Sequence, residues 1–408
     1  MTAALFIFAI TYLLILVQPL PFVRLGRPAA AFVGAVAMVV VGAVTPDQAF
    51  RDAIDHSTIA LLLGMMILTG YLQEAGFFRT ASHAVIRGAR TPRRLLVGIT
   101  LVSAVLSALL VNDTVCLMVT PLVLQVVDDS ELPPLPYLLA VAFGANAGSA
   151  ATPTGNPQNM LIASLSGLSY VDFVGSVGPA AIAGTAAVLL LLLLLFGRQI
   201  PARPLSAARL PPPPLDLPLL VKALVTTAGV VVAFVAGFDL AWSALAGAAF
   251  LLLVAGDRGG EPLRGVNWLL LLFFAGLFVV VYGVGRTGIA MRVFEGAASL
   301  GGGEVVPQAV MLTAASIVGS NLFSNVPFVL LAAGWIPSFA DPPLAWKVLA
   351  LSSTLAGNLT IVGSVANLIV FEVAGARGRV SFWRFLSYGL PITLVSTAVG
   401  LVVLLLLG

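Results

Sequence analysis

Thr152-Pro-Thr-Gly155-Asn156-Pro-Gln-Asn159 precedes Met160-Leu-Ile, and Thr360-Ile-Val-Gly363-Ser364-Val-Ala-Asn367 precedes Leu368-Ile-Val. Both read Thr-x-x-Gly-x-x-x-Asn before apolar residues. Both lie within long apolar runs, 137–167 and 346–371. A polar octet at such depth interrupts a helix, because Gly155 and Gly363 free the backbone while Pro153 and Pro157 remove N–H donors and stop helix continuation. Irregular backbone inside a bilayer is tolerated only where protein, an ion or water satisfies its polar groups. Each octet therefore reads as a break in a spanning helix.

Upstream of each break lies a second interruption. In run 95–127 it is Asn112-Asp113-Thr114, and in run 306–339 it is Ser324-Asn325-Val326-Pro327. Residues 95–111 rise about 25 Å as a helix, marginal for a hydrocarbon core of about 30 Å. These runs are therefore expected to be re-entrant hairpins with polar, buried tips. The order span, hairpin, broken span occurs twice.

Composition sets the class. The chain has 408 residues, 60% hydrophobic and 9% charged, with mean hydropathy +1.08. Soluble domains carry about 25% charged residues, so the surface here must face lipid. Apolar runs of about 20 residues mark bilayer-spanning helices. A net charge of +3 spread over loops gives no footprint for nucleic acid, and one cysteine, Cys116, excludes an intrachain disulfide. Run 2–23 has no basic residue before it, so it reads as a permanent helix rather than a secretory signal. Stretch 299–303 is glycine-rich but has no following P-loop lysine, and no nucleophile–base arrangement suggests an enzyme.

Loop charge orients the chain. With the N-terminus outside and the two hairpins returning to their own side, the inner loops hold Arg24, Arg27, Arg79, Arg87, Arg90, Arg93, Arg94, Arg198, Arg203, Arg209, Lys222, Arg258, Arg264, Arg377, Arg379 and Arg384. Arg51, Arg286, Arg292 and Lys347 remain outside, as the positive-inside rule requires. Both termini are then outside the cytoplasmic membrane. The run 211–214, all proline, stiffens a cytoplasmic linker. The expected organisation is a first repeat at 1–200, a linker at 201–216 and a second, inverted repeat at 217–408. The fold class is all-α polytopic membrane protein, with a re-entrant hairpin and a broken transmembrane helix in each repeat.

Interrupted segments at matching places in two halves point to a transporter's binding site. The candidate substrate and ion ligands are Asn112, Asp113, Thr114, Thr152, Thr154, Gly155, Asn156, Asn159, Ser324, Asn325, Thr360, Gly363, Ser364 and Asn367. Their amides and hydroxyls suit Na⁺ alongside freed carbonyls, with Asn112, Asn156, Asn325 and Ser364 the expected Na⁺ set. Helix N-termini beyond each break offer partial positive charge to an anion. Asp113 is the one ionisable carboxylate or basic residue within run 95–127, and an intramembrane carboxylate marks function; it is expected to carry a coupling proton or face Na⁺. Asn146, Asn321 and Asn358 are weaker candidates.

At these motifs the sequence resembles the ion transporter superfamily, which includes arsenite exporters, NhaD-type sodium/proton antiporters, citrate permeases and divalent anion/sodium symporters. The resemblance is carried by Asn112 to Pro121, Gly144 to Asn159, Ser324 to Leu331 and Ala356 to Val370. It implies inverted repeats and elevator-type movement. In the symporter branch Ser-Asn-Thr tips bind sodium and carboxylate; the matching tips here are Asn112-Asp113-Thr114 and Ser324-Asn325-Val326. An aspartate replaces one asparagine, and Val326 replaces a hydroxyl, which moves the likeness toward exporters and antiporters. Symporters of the group commonly form homodimers.

The expected function is ion-coupled secondary transport of a small inorganic or organic anion or oxyanion, with Na⁺ or H⁺ as coupling ion and no other cofactor. A sodium/proton antiporter, an arsenite/antimonite exporter and a passive ion channel are the alternatives.

Overall fold

The computed structural model describes residues 2–16, 26–201, 204–205, 214–256, 260–289 and 303–407. The expected linker prolines 211–213 and the stretch 299–302 lie outside these residues, as do 17–23 of the first apolar run. All regular structure among the described residues is helical.

The helices fall into two series that match in order. The first comprises α1 (Thr2–Leu16), α2 (Arg27–Val40), α3 (His56–Glu74), α4 (Phe77–Gly88), the pair α5 (Pro92–Leu109) and α6 (Asn112–Asp129), the pair α7 (Pro134–Ser149) and α8 (Pro157–Ser166), and α9 (Tyr170–Phe196). The second comprises α10 (Leu217–Val235), α11 (Leu240–Val254), α12 (Trp268–Gly285), the pair α13 (Val305–Phe323) and α14 (Asn325–Ala333), the pair α15 (Pro342–Ala356) and α16 (Val365–Ala374), and α17 (Phe382–Leu407). Among the described residues the second series has no element matched to α4.

The two series are inverted. α3 ends at Glu74, and the next residue, Ala75, accepts a backbone hydrogen bond from Asp216 of the linker at 3.2 Å. The segment leading into α12 meets the same end of α3, with Pro262 closing on Gly70. α12 therefore begins where α3 ends. Both ends of the linker are pinned on this side, because Leu205 N also donates to Arg90 O at 3.1 Å. Gly76 turns the chain there with φ +86, against Pro214, a backbone region that side chains rarely adopt.

The series interlock. α2 packs on α12 and α11 on α3, each from the opposite half, while α9 and α17 pack on one another. Such exchange buries apolar helix faces across the halves, so neither half forms a separate unit. The molecule has seven described helices long and apolar enough to cross a bilayer.

α5 and α13 are among those seven, so length alone does not make them re-entrant. Their neighbours do. α5 lies along α7, starting beside it where Tyr137 OH donates to Pro92 O at 3.2 Å. The axes close tightly because Gly144 and Gly148 face the backbones of Thr100 and Ala104; a Cβ on Gly144 would lie 2.7 Å from Thr100 O. Small residues four apart permit this approach in membranes. α7 then breaks at mid-span, and α5 stops with it. Asn112 N donates to Gly155 O at 3.0 Å, and Thr152 Oγ1 donates to Ala108 O. The first tip thus sits at the depth of the break. The second hairpin repeats this. Ala340 N donates to Gln308 Oε1 at 2.8 Å near its base, and Asn321 Nδ2 reaches Ala356 O at 2.9 Å near its tip.

Candidate functional site

Each break is held by one asparagine. Asn159 Nδ2 donates to the carbonyls of Ser149, Ala150 and Thr152 at 3.3, 3.4 and 3.1 Å. Asn367 Nδ2 donates to those of Gly357 and Thr360 at 2.7 and 2.9 Å. Both residues are fully buried. These carbonyls lost helical partners at the break, and a buried unpaired carbonyl is costly. The repeated asparagine therefore makes an interrupted helix affordable in lipid.

The helices beyond the breaks start with their own caps. Asn156 Oδ1 accepts from Asn159 N at 2.9 Å, with Pro157 at the first position of α8. Ser364 Oγ accepts from Ala366 N at 3.2 Å at the start of α16. Both satisfy orphan first-turn donors.

A crosswise network joins the halves. Asn146 of α7 donates to Asn358 Oδ1 and Asn367 Oδ1 and accepts from Ser364 Oγ, all at 2.9 Å. Its counterpart in α15 is Thr354, which accepts from Asn156 Nδ2 and Gln158 Nε2 at 3.3 Å and donates to Asn159 Oδ1 at 3.4 Å. Each half thus holds the other half's break.

Between tips and breaks lies a cavity of about 30 Å³ lined by Asn112, Asp113, Pro157, Gln158, Leu270, Phe273, Phe274, Ser324, Asn325, Val326, Ser364 and Val365. This is room for one or two water-sized occupants. First-turn residues of α6, α8, α14 and α16 all contribute, so four helix N-termini converge on one point. Each carries partial positive charge. The lining has no Lys or Arg and one carboxylate, Asp113.

Asn112 Oδ1 is buried and has no hydrogen-bond partner. With its amide turned to match the donors and acceptors around it, Asn325 is fully engaged: it donates to Gly363 O at 3.0 Å and Ser353 O at 3.2 Å and accepts from Gln158 Nε2 at 3.2 Å. Ser324, at the turn before α14, has φ 72 and ψ 157, a region held almost wholly by glycine and costing about 1–3 kcal/mol.

Of the residues expected from sequence, the cavity gathers Asn112, Asp113, Ser324, Asn325 and Ser364. Thr114 faces a larger vestibule instead. Asn159, Asn367, Thr152 and Thr360 build the breaks; Thr360 Oγ1 donates to Asn321 Oδ1 at 2.8 Å, and Thr154 pairs with Tyr170. Gly155 and Gly363 pack against neighbouring backbone and Asn321. Of the expected Na⁺ set, Asn156 lies off the cavity and the oxygens of Asn156, Asn325 and Ser364 already have partners, while that of Asn112 does not. Sequence reading passed over Gln158, Thr354 and the apolar wall of Leu270, Phe273 and Phe274. Gln158 stands inside the quoted motif, but its counterpart is Ala366, so a search for repeated residues skips it.

The cavity opens toward the linker side. A vestibule of about 590 Å³ runs from Asp113 and Thr114 past Gln73 and Glu74 to Glu261 and Arg264. A second, of about 450 Å³, runs from Ser324 and Phe273 to Arg27 and Glu372. Leu270 borders the cavity and both vestibules. On the opposite side a cleft of about 420 Å³ between α12 and α14 includes no tip or break residue in its lining.

Inverted halves, paired hairpins and broken helices around a central polar cavity define a multi-pass membrane transporter. The chain belongs to the citrate transporter family CitMHS, whose family model matches residues 12–356. It is 33% identical to the silicon efflux transporter LSI3 of Oryza sativa subsp. japonica, over 97% of this chain and 95% of that one. It is 26% identical to a protein of Dictyostelium discoideum named for the transporter arsB, over 94% and 88% of the two chains. In fold it is similar to the crystal structure of the Alcanivorax borkumensis YdaH transporter, with TM-score 0.57 and 16% identity over 99% of this chain and 96% of that one. The superfamily resemblance read from the tips and breaks is thereby confirmed.

Proposed function

We propose that this chain is an ion-coupled secondary transporter of a small oxyanion or its parent oxyacid, working by elevator-type alternating access. The observation that carries this reading is the meeting of four helix N-termini on one small cavity lined by amides and hydroxyls. Such a site attracts oxygen-bearing solutes without a basic side chain. In this reading Asp113 takes up the coupling H⁺ or faces Na⁺, supported by its position at the edge of cavity and vestibule near the unpartnered Asn112 oxygen. The two repeats are assigned to 1–200 and 217–408, with 201–216 as a cytoplasmic linker and both termini outside the cytoplasmic membrane. Loop charge supports this orientation, and the vestibules then face the cytoplasm.

A specific observation favours export of arsenite- or silicic-acid-like species within this reading. The lining has a carboxylate and no cation, which suits a neutral hydroxylated solute better than a polyanion. The names of the rice and Dictyostelium relatives agree with it. The cavity needs less widening for a mononuclear oxyacid than for a tricarboxylate.

Proteoliposome flux of arsenite, silicic acid, phosphate and citrate, each with and without Na⁺ and pH gradients, tests the proposal. Saturable, gradient-coupled flux of an oxyacid or oxyanion is expected, and Asp113→Asn is expected to abolish coupling while the protein still folds. Unchanged ion dependence in that variant removes Asp113 from the mechanism, and unsaturable flux at channel rates refutes secondary transport.

A further inference from the structure

Among the described residues the two sides of the molecule differ at a pair of equivalent contacts. Away from the linker, α8 packs on α3. There Ser164 Oγ donates to the two carboxylate oxygens of Asp55 at 3.1 and 2.9 Å. Asp55 is also the cap of α3, accepting from Thr58 N at 2.7 Å.

The repeat carries α3 to α12 and α8 to α16. Asp55 maps onto Asn267, which caps α12 by accepting from Leu270 N at 3.0 Å. Ser164 maps onto Glu372, since the two stand equally far beyond the caps Asn156 and Ser364. Asn267 and Glu372 are not bonded to each other. Both line the 450 Å³ vestibule, and both are exposed. The chemistry of the two pairs is complementary. In one, α3 supplies the carboxylate and α8 the donor. In the other, α12 supplies an amide whose Nδ2 is free of the cap and α16 supplies the carboxylate. A donor–carboxylate pair survives in both places with the roles exchanged.

We propose that Asp55–Ser164 and Asn267–Glu372 are alternating latches, of which one is closed at a time. The state described here has the first closed and the linker side open. When the tips and breaks shift against α3 and α12, the first latch parts, the second forms and the linker-side vestibule shuts. This inference rests on the alternating-access reading above. Inverted repeats supply the two states, because exchanging the conformations of the halves exchanges the sides. A closed latch biases the equilibrium by the hydrogen bond it makes in one state and not the other.

The test uses the full chain in liposomes. Its one native cysteine, Cys116, is buried, so introduced pairs can be read by mercuric-ion bridging and protection from a maleimide mass tag. D55C/S164C is expected to bridge at once and N267C/E372C slowly. Adding Ser164→Ala to the second pair is expected to speed its bridging about fivefold, the value of one charge-assisted hydrogen bond in a half-exposed setting. Ser164 is half-buried and its hydroxyl makes no contact within α8, so this variant folds. Bridging of N267C/E372C that ignores Ser164→Ala overturns the latch, as does simultaneous bridging of both pairs in one four-cysteine molecule. Arsenite and phosphate flux in the same vesicles separates the two ideas: normal flux with uncoupled pairs sinks the latch alone, whereas alternating pairs without flux sink the substrate reading alone.

Discussion

Replacing Asn146 by leucine is expected to destabilise the protein far more than replacing its counterpart Thr354 by valine. Both substitutions keep volume and remove polar atoms. Asn146 makes three short hydrogen bonds, each 2.9 Å, to Asn358, Asn367 and Ser364, and it is 2% exposed. A net hydrogen bond is worth about 1 kcal/mol in folded proteins and about 0.6 kcal/mol between membrane helices. Three such bonds give about 2–3 kcal/mol, before the cost of leaving Asn358 Oδ1 and Asn367 Oδ1 unpaired in a buried site; Ser364 Oγ keeps its bond from Ala366 N. Thr354 also makes three bonds, but at 3.3–3.4 Å. Two of its partner atoms keep others, Asn156 Nδ2 on Ser149 and Gln158 Nε2 on Asn325, and one, Asn159 Oδ1, is left unpaired. Thr354→Val is therefore expected to cost about 1 kcal/mol or less. Denaturation by sodium dodecyl sulfate in mixed micelles measures both. An equal or larger loss for Thr354→Val refutes the claim that bond length and alternative partners decide the cost.

Gly148→Ala places a Cβ within the backbone of Ala104 and is expected to cost about 1–3 kcal/mol by forcing α5 from α7; Gly175→Ala, in the open on α9, is expected to raise thermal stability slightly. Ser324→Gly relieves the strained backbone at φ 72, so the melting temperature is expected to rise while transport falls with the lost hydroxyl; a lower melting temperature contradicts the strain. Arg377 pairs with Asp128 at 2.6 Å, but both side chains are about half exposed, so Arg377→Gln is expected to change stability by less than about 1 kcal/mol, measured by the same denaturation.

Local pattern carried most of the fold. The two octets, the proline stops and the 9% charge content marked the breaks and the bilayer because those properties act within a few residues of themselves. The re-entrant hairpins were also foreseen, although the argument from length was the weaker one: α13 runs Val305–Phe323 and has the span of a full crossing. What makes it re-entrant is Asn321 reaching Ala356, a contact that no stretch of local sequence displays. The same holds for Asn146. It sits in α7 among residues that read as ordinary apolar helix, and its partners lie 212 to 221 residues away. Its counterpart is a threonine, so the repeat did not single it out, and the sequence marks it only as a weaker candidate.

The tip alignment also changed. Pairing by motif set Asn112-Asp113-Thr114 beside Ser324-Asn325-Val326, whereas the helix starts pair Asn112 with Asn325 and Asp113 with Val326. That shift separates frame from face. The residues the halves share most strictly, Asn159 and Asn367, spend their amides on broken-helix carbonyls and do not border the cavity. Three that border it without a like counterpart are Asp113 opposite Val326, Gln158 opposite Ala366, and Ser364 opposite Asn156. A symmetric frame must open equally well to either side, so strict repetition is demanded of the residues that build it. A solute occupying one central cavity has no such symmetry, and its recognition belongs to positions where the halves diverge. Substitutions at Asp113 and Gln158 are therefore where cargo and coupling ion should change, and those at Asn159 and Asn367 are where the break itself should fail.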